Sequence, residues 1–240
     1  MSYHLKRLTA PTSWQIAKKE ETFITKTCPG PHRSGALPVA VWLRDKMGLA
    51  GNMKEVKRIL GQRQIIVNGK AVTNPKIGLG IFDIISIPKM DKHYRILMNK
   101  AGRLVSIEID AEAAKTRLCK IADKTTVKGG KVQLNLLYGA NVLADNTYKP
   151  KDSIVLTLEG EERFTIVDHY PFAVGNMAMV IGGQHSGRIG KITEIRVSPG
   201  STPNRIALED ENAVAFETIE ENVFMIGRET SAVAEWGIEA

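Results

Sequence analysis

The sequence has little cysteine, little aromatic content and no long apolar run, and each shortage excludes something. Cys28 and Cys119 are its two cysteines, far apart and outside any CxxC pair. A disulfide framework and a cysteine zinc site are both excluded, and a reducing, cytoplasmic setting is the default. No stretch reaches the roughly 18 consecutive apolar residues that a membrane-spanning helix needs. No apolar region follows the basic residues of Met1–Arg7, so no secretory signal is expected. Aromatic residues make up 6% of the 240 residues, while 43% are hydrophobic and 25% charged. That is enough for a sizeable core, in one domain or several.

The positive charge is concentrated at one end. Residues 1–100 carry 18 Lys+Arg against 6 Asp+Glu, residues 101–200 carry 13 against 11, and residues 201–240 carry 2 against 9. The successive net charges are +12, +2 and −7, within a whole-chain +7. A front segment with twelve surplus positive charges repels itself unless it meets a polyanion, and nucleic acid is the commonest one.

Residues 1–35, with Pro11, Pro29 and Pro31, read as a basic amino-terminal extension poor in regular structure. Its Leu5, Leu8, Trp14, Ile16, Phe23 and Ile24 allow a second reading, a strap packed on its own domain. From Ala36 the apolar spacing turns helical, with Pro38 at a first helical position and Gly48 as a stop. Asn52 and Glu55 have the spacing of a capping box opening a second helix to Leu60. Its face of Val56, Ile59 and Leu60 opposes Lys54, Lys57 and Arg58. Asn68-Gly69 between β-branched runs marks a hairpin, and Ile81–Ile87 reads as a buried strand.

The remainder reads as mostly β. A helix is expected from Asp110 to about Ile121, a Gly-Gly hairpin over Thr126–Leu134, strands at Ser153–Leu158 and Phe164–Val167, and short, closely spaced strands after Pro171. The expected divisions are 1–35, a two-helix domain over 36–90, a mostly β central domain over 91–170, a small barrel over 171–226 and an acidic tail over 227–240.

Catalytic patterns are thin. Histidines at 4, 32, 93, 169 and 185 form no i, i+3 or i, i+4 clamp, so no metal site is expected. Asp168-His169-Tyr170 sits before a proline, and Glu161-Glu162 are neighbours that point to opposite faces of a strand. Gly182–Lys191 fails as a nucleotide-phosphate loop because His185 stands where glycine is required and Ile192 where Ser or Thr is. Neither a cofactor nor a small-molecule substrate is expected. Basic side chains on defined surfaces remain. The expected RNA-binding set is Lys6, Arg7, Lys18, Lys19, His32, Arg33, Arg44, Lys46, Lys54, Lys57, Arg58, Arg63, Lys70, Arg188 and Lys191. In the Gly-rich loop, Gln184, His185 and Ser186 are further donors.

Leu37-Pro38-Val39 through Ile87, with Val67-Asn68-Gly69-Lys70, resembles the small RNA-binding domain shared by bacterial ribosomal protein four, pseudouridine synthases and some tRNA synthetases. Met179–Ile192 resembles the KOW motif of ribosomal and transcription-elongation proteins. His4-Leu5-Lys6-Arg7-Leu8-Thr9-Ala10-Pro11 and Gly30-Pro31-His32-Arg33 resemble one family more narrowly, the small-subunit ribosomal protein four of archaea and eukaryotes. The acidic carboxyl end points to the archaeal form. The resemblance implies an α+β, multi-domain chain whose last domain is an SH3-like barrel. It implies a non-enzymatic, cytoplasmic constituent of the small ribosomal subunit, with ribosomal RNA and neighbouring ribosomal proteins as partners. The alternative is an RNA-modifying enzyme or accessory factor that grips RNA with the same domain.

Overall fold

The computed structural model describes residues 4–32, 35–158, 160 and 163–228. The fold is α+β, mostly β with few helices, and divides into two compact units. The first comprises Met1–Leu97 and Arg103–Ala114; the second comprises Met98–Gly102 and Lys115–Ala240. No helix among the described residues is long and apolar enough to cross a membrane.

In the first unit, strands β1 (Leu5–Lys6) and β2 (Phe23–Ile24) pair antiparallel, and β3 (Leu37–Pro38) leads into α1 (Val39–Val41) and a π turn, Trp42–Lys46. The helix starts after Pro38 because Pro38 and Leu37 pair with β6 (Gly78–Leu79), which holds them extended. Helix α2 (Met53–Gly61) is capped as its sequence predicts. Asn52 Oδ1 accepts from the Lys54 and Glu55 amides at 2.9 and 3.0 Å, and Glu55 Oε2 accepts from Gly51 N at 2.7 Å. Three amide donors around the first turn are thereby satisfied.

Strands β4 (Ile66–Val67) and β5 (Lys70–Ala71) form the expected hairpin. Asn68 and Gly69 both have positive φ, 49° and 73°, which is why this dipeptide can close it. With β7 (Ile84–Ile87), β8 (Lys92–Met98) and β9 (Leu104–Ile109) they make a sheet in the order β5-β4-β7-β8-β9. The strand expected from Ile81 begins only at Ile84, because Phe82 turns the chain at φ 63°.

The described residues of the segment before Ala36 pack in this unit as a strap. Trp14 is buried and donates from Nε1 to the Gly35 carbonyl at 3.1 Å. Cys28 N donates to the Lys76 carbonyl at 2.8 Å. Phe23 stays exposed, unlike Trp14 and Ile24.

One expected helix is replaced by a strand. Asp110–Ile121 is not a helix: a short 3-10 turn at Ala113–Lys115 runs into β10 (Thr116–Thr126). Arg117 through Ile121 are all buried. Five consecutive buried positions suit a central strand covered on both faces, not a helix with one buried stripe. Strand β10 lies between β11 (Val132–Leu136) and β13 (Ser153–Thr157), with β12 (Asn141–Ala144) and β14 (Ile166–Tyr170) at the edges. Cys119, Ile121, Leu134, Leu136, Ile154 and Leu156 form the core of this sheet.

A second sheet follows in the order β18-β17-β16-β15-β19. Its strands are β15 (Met177–Val180), β16 (Ile189–Arg196), β17 (Arg205–Glu209), β18 (Ala215–Ile219) and β19 (Val223–Gly227). Within the unit, Lys120 of β10 sends its ammonium to the carbonyls of Val223 at 2.6 Å, Glu221 at 3.2 Å and Glu220 at 3.4 Å. Most of the expected acidic tail lies outside the described residues.

Candidate nucleic-acid interface

The capped helix α2 divides its side chains cleanly. Val56 and Leu60 are fully buried, while Lys54, Lys57 and Arg58 are exposed on the opposite face. Arg63, just past the helix, and Lys70, on the β4–β5 hairpin, are exposed as well. Lys6 and Lys19 on the strap are exposed, and Lys18 is half-buried. Flexible ammonium and guanidinium groups held by ordered backbone can reach phosphate oxygens without rearranging the fold.

Arg7 and His32 have internal work instead, which corrects the expectation that they face RNA. Arg7 is only 2% exposed; its Nε donates to the Ala17 carbonyl at 2.5 Å and its Nη2 to Glu20 and Asp45 at 3.0 and 2.9 Å. His32 Nε2 lies 2.7 Å from Asp83 Oδ2, with both side chains buried. That carboxylate also accepts from Gly80 N and Asn68 Nδ2, each at 2.8 Å. The His32 ring therefore fastens the end of the strap to the turn before β7. Arg33 lies outside the described residues. Arg44 is half-buried and paired with Asp45 at 3.0 Å, which leaves it only partly available. Lys46 donates to the Leu104 carbonyl, and burial lowers its pKa, so it too serves the fold first.

The Gly-rich loop splits in the same way. Ser186 is buried and bonds to Met98 Sδ at 2.5 Å, which removes it from the expected donors. Arg188 lies over the Phe216 ring with its guanidinium carbon 5.6 Å from the centroid, and the His185 ring sits 5.2 Å from the same centroid. Gln184 and Lys191 are exposed.

Several exposed lysines fall outside the expected set, and two of them are paired by a turn. Lys128 and Lys131 flank Gly129-Gly130 at the turn between β10 and β11, and the Gly-Gly signal that marks this hairpin also brings its two flanking charges together. The buried cations Arg95 and Lys120 carry no surface role. Burial lowers the Arg95 pKa to about 10, and its guanidinium donates to the Ala113 carbonyl at 3.0 Å. Burial likewise lowers Lys120 to about 8. Asp152 accepts from Lys149 N and Phe172 N and pairs with His169 Nε2 at 2.8 Å, an arrangement that closes a turn.

Comparison with known proteins adds an independent line. The model of the Ribosomal family S4e matches residues 90–163, and that of the RS4NT (NUC023) domain matches residues 1–34. The small ribosomal subunit protein eS4 of Methanospirillum hungatei is 57% identical over 240 residues, the whole of both chains. That of Archaeoglobus fulgidus is 41% identical over 228 residues, 95% of this chain and 94% of the relative. The crystal structure of the 30S ribosomal protein S4e from Thermoplasma acidophilum aligns with a TM-score of 0.66 at 27% identity, covering 80% of this chain and 95% of that one.

Proposed function

The chain belongs to the family of small ribosomal subunit protein eS4, and from that premise we propose that it is a structural, non-enzymatic constituent of the cytoplasmic small ribosomal subunit. It holds ribosomal RNA through basic side chains on ordered elements. Full-length identity to archaeal relatives of that name carries the assignment, and nothing comparable favours an RNA-modifying enzyme.

In this reading residues 36–90 are the two-helix RNA-binding domain, with Lys54, Lys57 and Arg58 as its phosphate-facing side. Residues 171–226 form a KOW-type, SH3-like module in which Arg188 and Lys191 meet RNA. Positive side chains displace counterions from the phosphate backbone, so affinity falls steeply with salt. Recognition rests on RNA shape and backbone, since the deep groove of A-form RNA hides base edges. Neighbouring ribosomal proteins contribute the remaining contacts. Sedimentation of tagged protein in native extract tests this: it should travel with small subunits at high magnesium. Protein found only in the free fraction at every magnesium concentration would end the proposal.

A further inference from the structure

The strap hairpin presents one face that the fold leaves in solvent. Leu5 pairs with Ile24 and Lys6 with Phe23. Direct partners in an antiparallel pair share a face, and successive residues alternate. Ile24 is buried, so the Leu5–Ile24 pair points inward and the Lys6–Phe23 pair outward. Phe23 is 53% exposed. The His4 ring stands edge-on to it, with centroids 5.3 Å apart and planes at 86°.

This face is held firmly. Arg7 N donates to the Thr22 carbonyl at 2.9 Å, and the buried Arg7 guanidinium ties the strap to Asp45. A half-exposed phenylalanine on an anchored hairpin gains nothing in the core. It is already positioned for a flat partner, with little ordering left to do on contact.

We infer that Phe23 is a stacking platform for an unpaired nucleotide of small-subunit ribosomal RNA, with His4 bordering the base and Lys6 neutralising its phosphate. The inference rests on the RNA-binding reading above and adds to it a site, a ligand class and a residue that is not basic. An aromatic face beside an ammonium matches a nucleotide, which joins a π-surface to a negative charge. An apolar protein segment would fit worse, because covering Phe23 would also strip water from Lys6.

The experiment uses the full chain, with Phe23→Ala, Phe23→Leu and Phe23→Trp, titrated against deproteinised archaeal small-subunit ribosomal RNA. Phe23 is exposed, so thermal midpoints should stay close to that of the unaltered protein. Stacking on one base predicts a loss of about fivefold to a hundredfold in affinity for Ala and for Leu. Trp should restore affinity and lose its added fluorescence on binding. Leu binding as well as Phe, or Trp fluorescence indifferent to RNA, overturns the platform. So does a Phe23→Ala protein that binds RNA normally yet is lost from subunits, which would assign the face to a protein neighbour. If the unaltered protein itself fails to bind, the underlying RNA reading falls instead, and the two failures are thereby told apart.

Discussion

Arg7 and Asp45 are 38 residues apart in sequence, yet Arg7 Nη2 donates to Asp45 Oδ1 at 2.9 Å in the fold. The contact joins the strap to the turn that follows α1, beside the contacts of Trp14, Cys28 and His32. Arg7→Met keeps the volume but leaves the Ala17 carbonyl and part of Asp45 without a donor. Arg44 still pairs with Asp45, and Glu20 is free to return to water. The expected cost is about 2–3 kcal/mol. Urea unfolding followed by the fluorescence of buried Trp14 and Trp42 measures it, and an unmoved midpoint would mean the strap is not docked through Arg7. Deleting residues 1–35 should cost more and promote aggregation, since it uncovers the surface beneath Trp14 and Ile24.

The exposed face of α2 gives a purely electrostatic prediction. Lys54, Lys57 and Arg58 are solvent-exposed and their side chains bury nothing the fold requires, so changing all three to Gln should leave the circular dichroism spectrum unaltered. Affinity for ribosomal RNA should fall, and the log–log salt slope should flatten by roughly 0.7–0.9 for each phosphate no longer neutralised. The same test applies to Lys128→Gln with Lys131→Gln at the β10–β11 turn. A slope that stays put in a folded variant removes that surface from the interface.

The elements legible in the sequence are those decided within a few residues. Asn52 and Glu55 cap α2 because the amides they satisfy are their own neighbours, and Asn68-Gly69 closes a hairpin by backbone preference alone. The segment from Asp110 is the counterexample. Ala111, Ala113 and Ala114 favour a helix locally, but pairing with β13 along Thr116–Lys120 and with β11 from Ile121 onward draws the following residues into a sheet, where Arg117–Ile121 are buried. The same limit applies to the site. Lys54 and Arg58 could be placed on a surface from helical spacing, whereas the fate of Arg7 and His32 depends on Asp45 and Asp83, residues that become neighbours only after folding.

Lys120 predicts a rise in stability on the alkaline side. Burial holds its folded pKa near 8, below the unfolded value of about 10.4. Between those values the unfolded chain binds more protons than the folded one, so unfolding becomes harder as pH increases. Below pH 8 both states are protonated, and the penalty for burying the charge, on the order of 3 kcal/mol, is fully present. The stability difference between the native protein and Lys120→Met should therefore shift in favour of the native protein from pH 8 to pH 10. Parallel stability curves across that range would contradict the burial argument.

Gly187 and Arg188 are adjacent, but they should fail in different ways. Gly187 has φ of 78°, and an added Cβ would run into the Asn99 carbonyl and the Lys100 amide. Its own amide donates to the Val180 carbonyl at 2.7 Å, so the backbone cannot simply swing away. Gly187→Val should destabilise the second unit by about 2 kcal/mol or more, through left-handed strain and the clash together. Arg188→Ala gives up a guanidinium–ring interaction with Phe216 worth about 0.5–1 kcal/mol. Its thermal midpoint should barely move, while the salt slope of RNA binding falls by the equivalent of roughly one phosphate. Thermal unfolding and RNA titration on both variants separate the roles. An Arg188→Ala protein with the native salt slope would leave this loop a structural turn and Arg188 a cover for Phe216.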